Sequence, residues 1–186
     1  MATTRDRVEE LERRRAKHRE MGGNDRVKRQ RERGKLDVRA RIDILFDKGT
    51  FREYGLLATN MGRLPEEDPE STEKPSPADG VVTGVGEIDG RMVGVAAYDF
   101  TVFGGSIGDI GERKVSRMRE VCLKNRIPIV WLVDSGGARI SAQGVDPNSI
   151  AWFADTGYLF REQVVMSGVV PQVAAMVGPG AAGTAY

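Results

Sequence analysis

Two continuous apolar runs, about 40 residues apart, dominate the hydrophobic pattern of the chain. The first, Ile127-Pro128-Ile129-Val130-Trp131-Leu132-Val133, leads into Asp134-Ser135-Gly136-Gly137-Ala138-Arg139-Ile140. The second, Val169-Val170-Pro171-Gln172-Val173-Ala174-Ala175-Met176-Val177, leads into Gly178-Pro179-Gly180-Ala181-Ala182-Gly183. Runs of this length, bounded by breakers, predict strands buried on both faces. A helix over roughly 148–167 joins them. Upstream, Val81 to Ile88 and Arg91 to Phe100 flank Asp89-Gly90, a strong hairpin signal. Gly84, Gly86 and Gly94 within these strands imply close packing or bulges. A helix reaching Lys124 follows, with Val115, Met118 and Cys122 spaced for one buried face. Hairpin, helix, strand, helix, strand is an α/β order.

The N-terminal third is more polar. Residues 1–34 form a charged helical segment, and the folded body is expected over 35–186. Thr4 can cap a helix over 5–21 that closes at Gly22-Gly23. Val8 and Leu11 give it only a thin apolar stripe, so it must lie on the body or on another subunit. Residues 37–46 read as an amphipathic helix capped by Asp37, with Val38, Ile42 and Leu45 on one face. Phe51 to Tyr54 starts a strand. The proline-rich polar stretch 65–77 cannot bury itself, and a mobile loop is expected over 60–79. The sequence stops just past a glycine-rich turn, where a helix should begin, so it reads as the N-terminal piece of something longer.

Composition changes this picture little. With 186 residues, 40% apolar and 30% charged, the chain is long enough for a real core. A formal net charge of +1 gives no global pull towards nucleic acid or membrane. The single cysteine, Cys122, excludes an internal disulfide and a multi-cysteine zinc site, and it falls in a helical pattern as a small buried hydrophobe. No apolar stretch approaches a membrane span, and the N-terminus lacks the apolar core of a signal peptide. The cytoplasm, or an equivalent reducing compartment, is the default.

The chemistry concentrates where the strands end. Small residues there let backbone approach a ligand closely, and unpaired N–H groups can point at negative charge. Two such loops on neighbouring strands would gather N–H groups around one oxygen, the geometry of an oxyanion hole. Asp134-Ser135-Gly136-Gly137 also invites a serine-hydrolase reading, but that needs a histidine base oriented by a carboxylate. The one histidine, His18, lies among the charges of the N-terminal segment, so Ser135 is read as a turn-forming hydroxyl. A third glycine-rich loop, Gly104-Gly105-Ser106-Ile107-Gly108, is neither a Walker loop nor a dinucleotide fingerprint. It is read as shaping a cleft beside the other two. The basic run from Arg26 to Arg33 is either a solvated face or a phosphate contact.

Taken in order, Gly34-Lys35-Leu36, Gly80-Val81-Val82-Thr83-Gly84, Asp99-Phe100-Thr101-Val102-Phe103-Gly104-Gly105-Ser106, Asp134 to Ile140, Ser167-Gly168-Val169-Val170-Pro171-Gln172 and Gly178-Pro179 closely resemble the carboxyltransferase (β) subunit of biotin-dependent acyl-CoA carboxylases. Propionyl-CoA carboxylases are the nearest in pattern. The resemblance implies a crotonase-like (ClpP/crotonase) α/β fold of ββα units, here an incomplete acyl-CoA-binding N-terminal domain. It implies transfer of a carboxyl group from carboxybiotin to the α carbon of a short-chain acyl-CoA such as propionyl-CoA or acetyl-CoA. The enolate formed on the way needs N–H donors, which the resemblance assigns to Gly137, Ala138, Ala182 and Gly183. Gly104, Gly105, Ser106 and Gly136 would line the acyl-CoA cleft.

Members of that family usually carry Gly-Gly where this chain has Ala182-Gly183, and the added methyl would narrow the cleft. There is no zinc-finger Cys-x-x-Cys and no Met-Lys-Met biotin attachment motif, so biotin would arrive on another subunit or chain and no metal is expected. The implied partners are a C-terminal carboxyltransferase domain, biotin carboxylase and biotin carboxyl carrier components, in a homo-oligomer that is hexameric by resemblance. No nucleic-acid or membrane partner is implied, and the compartment is the cytoplasm or a mitochondrial matrix. The fragment alone should be inactive. Three alternatives stay open at this point: a methylmalonyl-CoA-type decarboxylase subunit, a non-catalytic acyl-CoA-binding and oligomerisation module, and an enoyl-CoA hydratase. The last would need a second glutamate to partner Glu162.

Overall fold

A computed structural model describes residues 2–59, 76–139, 158–181 and 184. Its frame is a five-stranded sheet in the order β1-β2-β3-β4-β5, formed by β1 (Arg52–Tyr54), β2 (Val81–Ile88), β3 (Arg91–Tyr98), β4 (Ile129–Ser135) and β5 (Gln172–Gly180). β1, β2 and β3 pair antiparallel, while β3, β4 and β5 run parallel. The expected hairpin is present, and both turn residues take positive φ, Asp89 at 49° and Gly90 at 71°. That is the twist two-residue hairpins favour. Helix α4 (Asp109–Asn125) crosses from β3 to β4 and stops at Arg126, which adopts the left-handed conformation. Helix α5 (Tyr158–Met166) precedes β5; the earlier part of the helix expected over 148–167 lies outside the described residues.

Alternation along the strands sorts the core into two layers. Val81, Ala96, Tyr98, Ile129, Trp131 and Val133 face α4 and α5, where they meet Val115, Met118, Cys122 and Met166. Val82, Val93, Val95, Ala97 and Leu132 face the other way, against Met21 and α3 (Val38–Leu45). Asp37 caps α3 through the Arg39 and Ala40 N–H groups. The buried stripe of α3 is Val38, Arg41 and Ile42, with Leu45 only partly covered.

The structure departs from the sequence reading in three places. Thr3, not Thr4, caps helix α1 (Thr4–Arg19), in a reciprocal box with Asp6. A second helix, α2 (Asn24–Glu32), follows Gly23 and carries the basic run, within the segment expected to be helical. Residues 60–75 of the expected mobile loop lie outside the described residues, but Ser76, Ala78 and Asp79 are buried in a short 3-10 turn at Pro77–Gly80. Finally, β4 is buried along nearly all its length, whereas β5 is the edge strand among the described residues, with Val173 and Met176 about half exposed. A continuous apolar run reports hydrophobicity, not position in the sheet, so periodicity could not separate the two strands.

Candidate active site

The end of β4 is shaped by hydrogen bonds that, among the described residues, leave the Ala138 N–H without an acceptor. Gly136 N–H donates to the Gly104 carbonyl (2.8 Å), and Gly137 N–H to Ser135 Oγ (3.1 Å). Ile107 N–H donates to the Gly137 carbonyl and Arg139 N–H to the Ile107 carbonyl, a parallel bridge that pairs Ile107 with Ala138. In such a bridge the paired residue turns its own N–H and C=O away from its neighbour. Among the described residues, the Ala138 N–H has no acceptor. Ser135 is fully buried and spends its hydroxyl on Gly137, which suits a turn-former and not a nucleophile.

The third glycine-rich loop braces this end of β4. Gly105, at φ 61°, has Asp134 backbone where a Cβ would go. Arg139 donates to Ser106 Oγ (3.1 Å), to the Ser106 carbonyl (2.9 Å) and to the Asp79 carboxylate, and stacks over Phe103. Asp79 also accepts the Gly111 N–H at the start of α4 (2.6 Å). Gly104, Gly105, Ser106, Gly136, Gly137 and Ala138 are thus brought together in one wall. Ala182 and Gly183 lie outside the described residues.

A basic cleft opens beside that wall. Arg26, Arg29, Gln30 and Arg33, with Lys35, Phe100 and Thr101, line a cavity of about 220 Å³. The N-terminal segment is fastened here: Gly22 N–H donates to Thr101 Oγ1 and Arg26 to the Thr101 carbonyl (both 3.1 Å). Thr101 is itself held by the Asp99 carboxylate, whose pKa burial pushes up. The Lys35 ammonium lies over the Phe100 ring. Sequence reasoning singled out the run around Arg26, Lys28, Arg29 and Arg31 but not which members face the cleft. Lys28 is paired with Glu32 and Arg31 with the Asp37 carboxylate (2.6 Å), while Arg33, at the end of that run, lines the cleft with Lys35, which lies beyond the run. The α2 helical period and the Gly34 break put Arg26, Arg29 and Arg33 on one side.

Two other groups are quiet. Cys122 is fully buried and its thiol is pushed up to about 11 by burial, so it is a core side chain. His18 is half-buried with Nδ1 3.1 Å from the Leu56 carbonyl, and its pKa is lowered chiefly by burial. Among the described residues, no group of three His, Cys, Asp or Glu side chains could hold a metal ion, and no helix is long and apolar enough to cross a membrane.

Comparison with known proteins decides the family. The carboxyl transferase domain matches residues 29–186. The chain belongs to the carboxyl transferase family. It is 42% identical to the propionyl-CoA carboxylase carboxyltransferase subunit of Haloferax mediterranei, over 99% of this chain and 34% of that protein. It is 38% identical to the methylmalonyl-CoA decarboxylase subunit alpha of Veillonella parvula, over 100% of this chain and 35% of that protein. Transcarboxylase 12S, solved as a hexamer with methylmalonyl-coenzyme A and methylmalonic acid bound, superimposes with a TM-score of 0.85 at 38% identity. The match covers 100% of this chain and 34% of that one. The fold is therefore crotonase-like, and this carboxyl transferase chain spans about a third of the length of the relatives it matches. Relatives of this carboxyl transferase chain are subunits of larger assemblies.

Proposed function

We propose that the chain is the acyl-CoA-binding part of a carboxyltransferase subunit that moves a carboxyl group from carboxybiotin to the α carbon of a short-chain acyl-CoA, propionyl-CoA or acetyl-CoA. The observation that carries this reading is the Ala138 N–H, left over in a braced loop at the end of β4. A thioester oxygen placed against it gains a donor that needs no reorganisation as negative charge develops. Ala182 and Gly183 are proposed as the donors from the second strand end. Gly137, whose N–H is engaged by Ser135, shapes the turn, and Gly104, Gly105, Ser106 and Gly136 form the wall along the acyl chain. Arg26, Arg29, Arg33 and Lys35 would hold the phosphates of coenzyme A, and Phe100 offers a face for its base.

Among the described residues of the loop, no titratable side chain is placed as a base: Ser135 is buried and bonded, and Arg139 is engaged by Asp79 and Ser106. These residues suit a reaction whose base arrives with the second substrate. Carboxybiotin, carried on another subunit or chain, supplies the carboxyl group. This chain's part is to bind the thioester, orient its α carbon and stabilise the enolate oxygen. One relative is named a methylmalonyl-CoA decarboxylase subunit, and a site that stabilises an enolate oxygen would serve carboxylation and decarboxylation alike.

The test is made in the full-length protein assembled with its biotin-bearing partners. Ala138→Pro deletes the donor and should lower turnover on the order of 100-fold with little change in the Michaelis constant. Ser135→Ala should keep most activity. A dead but folded Ser135→Ala enzyme, or a fully active Ala138→Pro enzyme, would contradict the reading.

A further inference from the structure

We infer that Arg41 and Asp134 are positioning residues for the acyl-binding strand ends, locking a bulge of β5 against the end of β4; this role rests on the reading proposed above. Strand parity turns Asp134 to the same face as Val130 and Leu132, which is the face covered by α3. The buried stripe of α3 presents Arg41 there, one turn from Val38. Arg41 Nη2 donates to Asp134 Oδ2 (2.7 Å) and to the Val177 carbonyl (3.2 Å), so one guanidinium joins the ends of two parallel strands.

The strands need this join because their ladder breaks at that level. Val133 pairs with Met176 and Ser135 with Gly180, so Asp134 alone stands opposite Val177, Gly178 and Pro179. A bulge of this kind frees backbone groups and re-aims the strand, and Pro179 has no N–H to restore the ladder. The Val177 carbonyl is taken over by Arg41. Gly178 is required by contact, since a Cβ there would overlap the Asp134 carboxylate. Asp134 also accepts from Gln30 Nε2 (3.4 Å), and Lys35 Nζ lies 3.9 Å from its Oδ1. Gln30 and Lys35 both line the basic cleft. The buried pair therefore sits where phosphate cleft, β4 loop and β5 end meet.

Stability alone would not call for a charged pair here. Asp134 and Arg41 are almost wholly buried, and Asp134 Oδ1 and Arg41 Nη1 have no hydrogen-bond partner among the described residues. A buried pair left part-satisfied is often replaced by apolar residues without loss of stability. The separating experiment follows from that. In the full-length enzyme with its partners, Arg41→Met combined with Asp134→Leu fills the space and removes the join. Turnover is expected to fall on the order of 100-fold, the cost of a misplacement near 1 Å, while affinity for free coenzyme A stays within about 3-fold. Arg41→Lys keeps the charge and can make one of the two bonds; it should fold in any case and recover part of the turnover. A double variant or an Arg41→Lys enzyme with wild-type turnover overturns the positioning role, and so does a parallel loss of coenzyme A affinity and turnover. If the wild-type enzyme itself transfers no carboxyl group to or from any acyl-CoA, the proposed reaction falls first and this role with it.

Discussion

One backbone N–H sets the proposed chemistry at Ala138, and one buried ammonium sets a pH dependence of stability at Lys114. The Lys114 ammonium donates to the Ala78 and Val81 carbonyls beneath the 76–80 turn. Burial lowers its pKa from 10.5 to about 8, against the pull of Glu53 and Asp79. A base with a depressed folded pKa holds fewer protons folded than unfolded between those two values, so stability should rise with pH across that window. Below it, the fold carries the cost of a charged buried amine. Lys114→Met should remove that alkaline gain: urea midpoints of wild type and variant should diverge in favour of wild type as pH rises from about 8 towards 10.5. A constant difference would show that Lys114 stays charged throughout. Such groups are hard to find in sequence. Arg41 was legible in principle, as a charge at a core position of the Val38–Ile42 stripe, but its partner Asp134 lies 93 residues away. Only the parity of β4 and the packing of α3 bring the two together.

Among the elements, the hairpin, α4, β4 and the capped α3 were readable because each carries a local signal: Asp89-Gly90, a helical stripe, a β-rich run and Asp37. The buried 76–79 turn was not, because a proline-rich composition hides the fact that Asp79 is the anchor for Arg139 and Gly111. The basic helix α2 gives the sharpest test at this scale. Neutralising Arg26, Arg29, Arg33 and Lys35 in the full-length oligomer should raise the Michaelis constant for acyl-CoA about 10-fold or more, with turnover changed far less. Phosphate contacts bind ground and transition states alike. The effect should shrink with added salt. Neutralising Lys28, which pairs with Glu32, should do little. An unchanged Michaelis constant at low ionic strength would reduce the cleft to a solvated face.

For the whole molecule, this chain holds a sheet whose edge strand and last helix leave Val164, Val165, Val173 and Met176 substantially exposed. It covers 34% of its carboxyltransferase relative. The chain of 186 residues tested alone should therefore transfer no carboxyl group. Measurable turnover by the isolated chain would contradict a site shared with further domains. In the proposed reaction the Ala138 N–H holds the thioester oxygen. The most direct measurement of that contact is the isotope-edited infrared band of a 13C-labelled acyl-CoA carbonyl bound to the full-length protein. The band should move to lower frequency on binding to wild type and return towards its free position in Ala138→Pro. A band unmoved in wild type, or moved equally in both proteins, would contradict it.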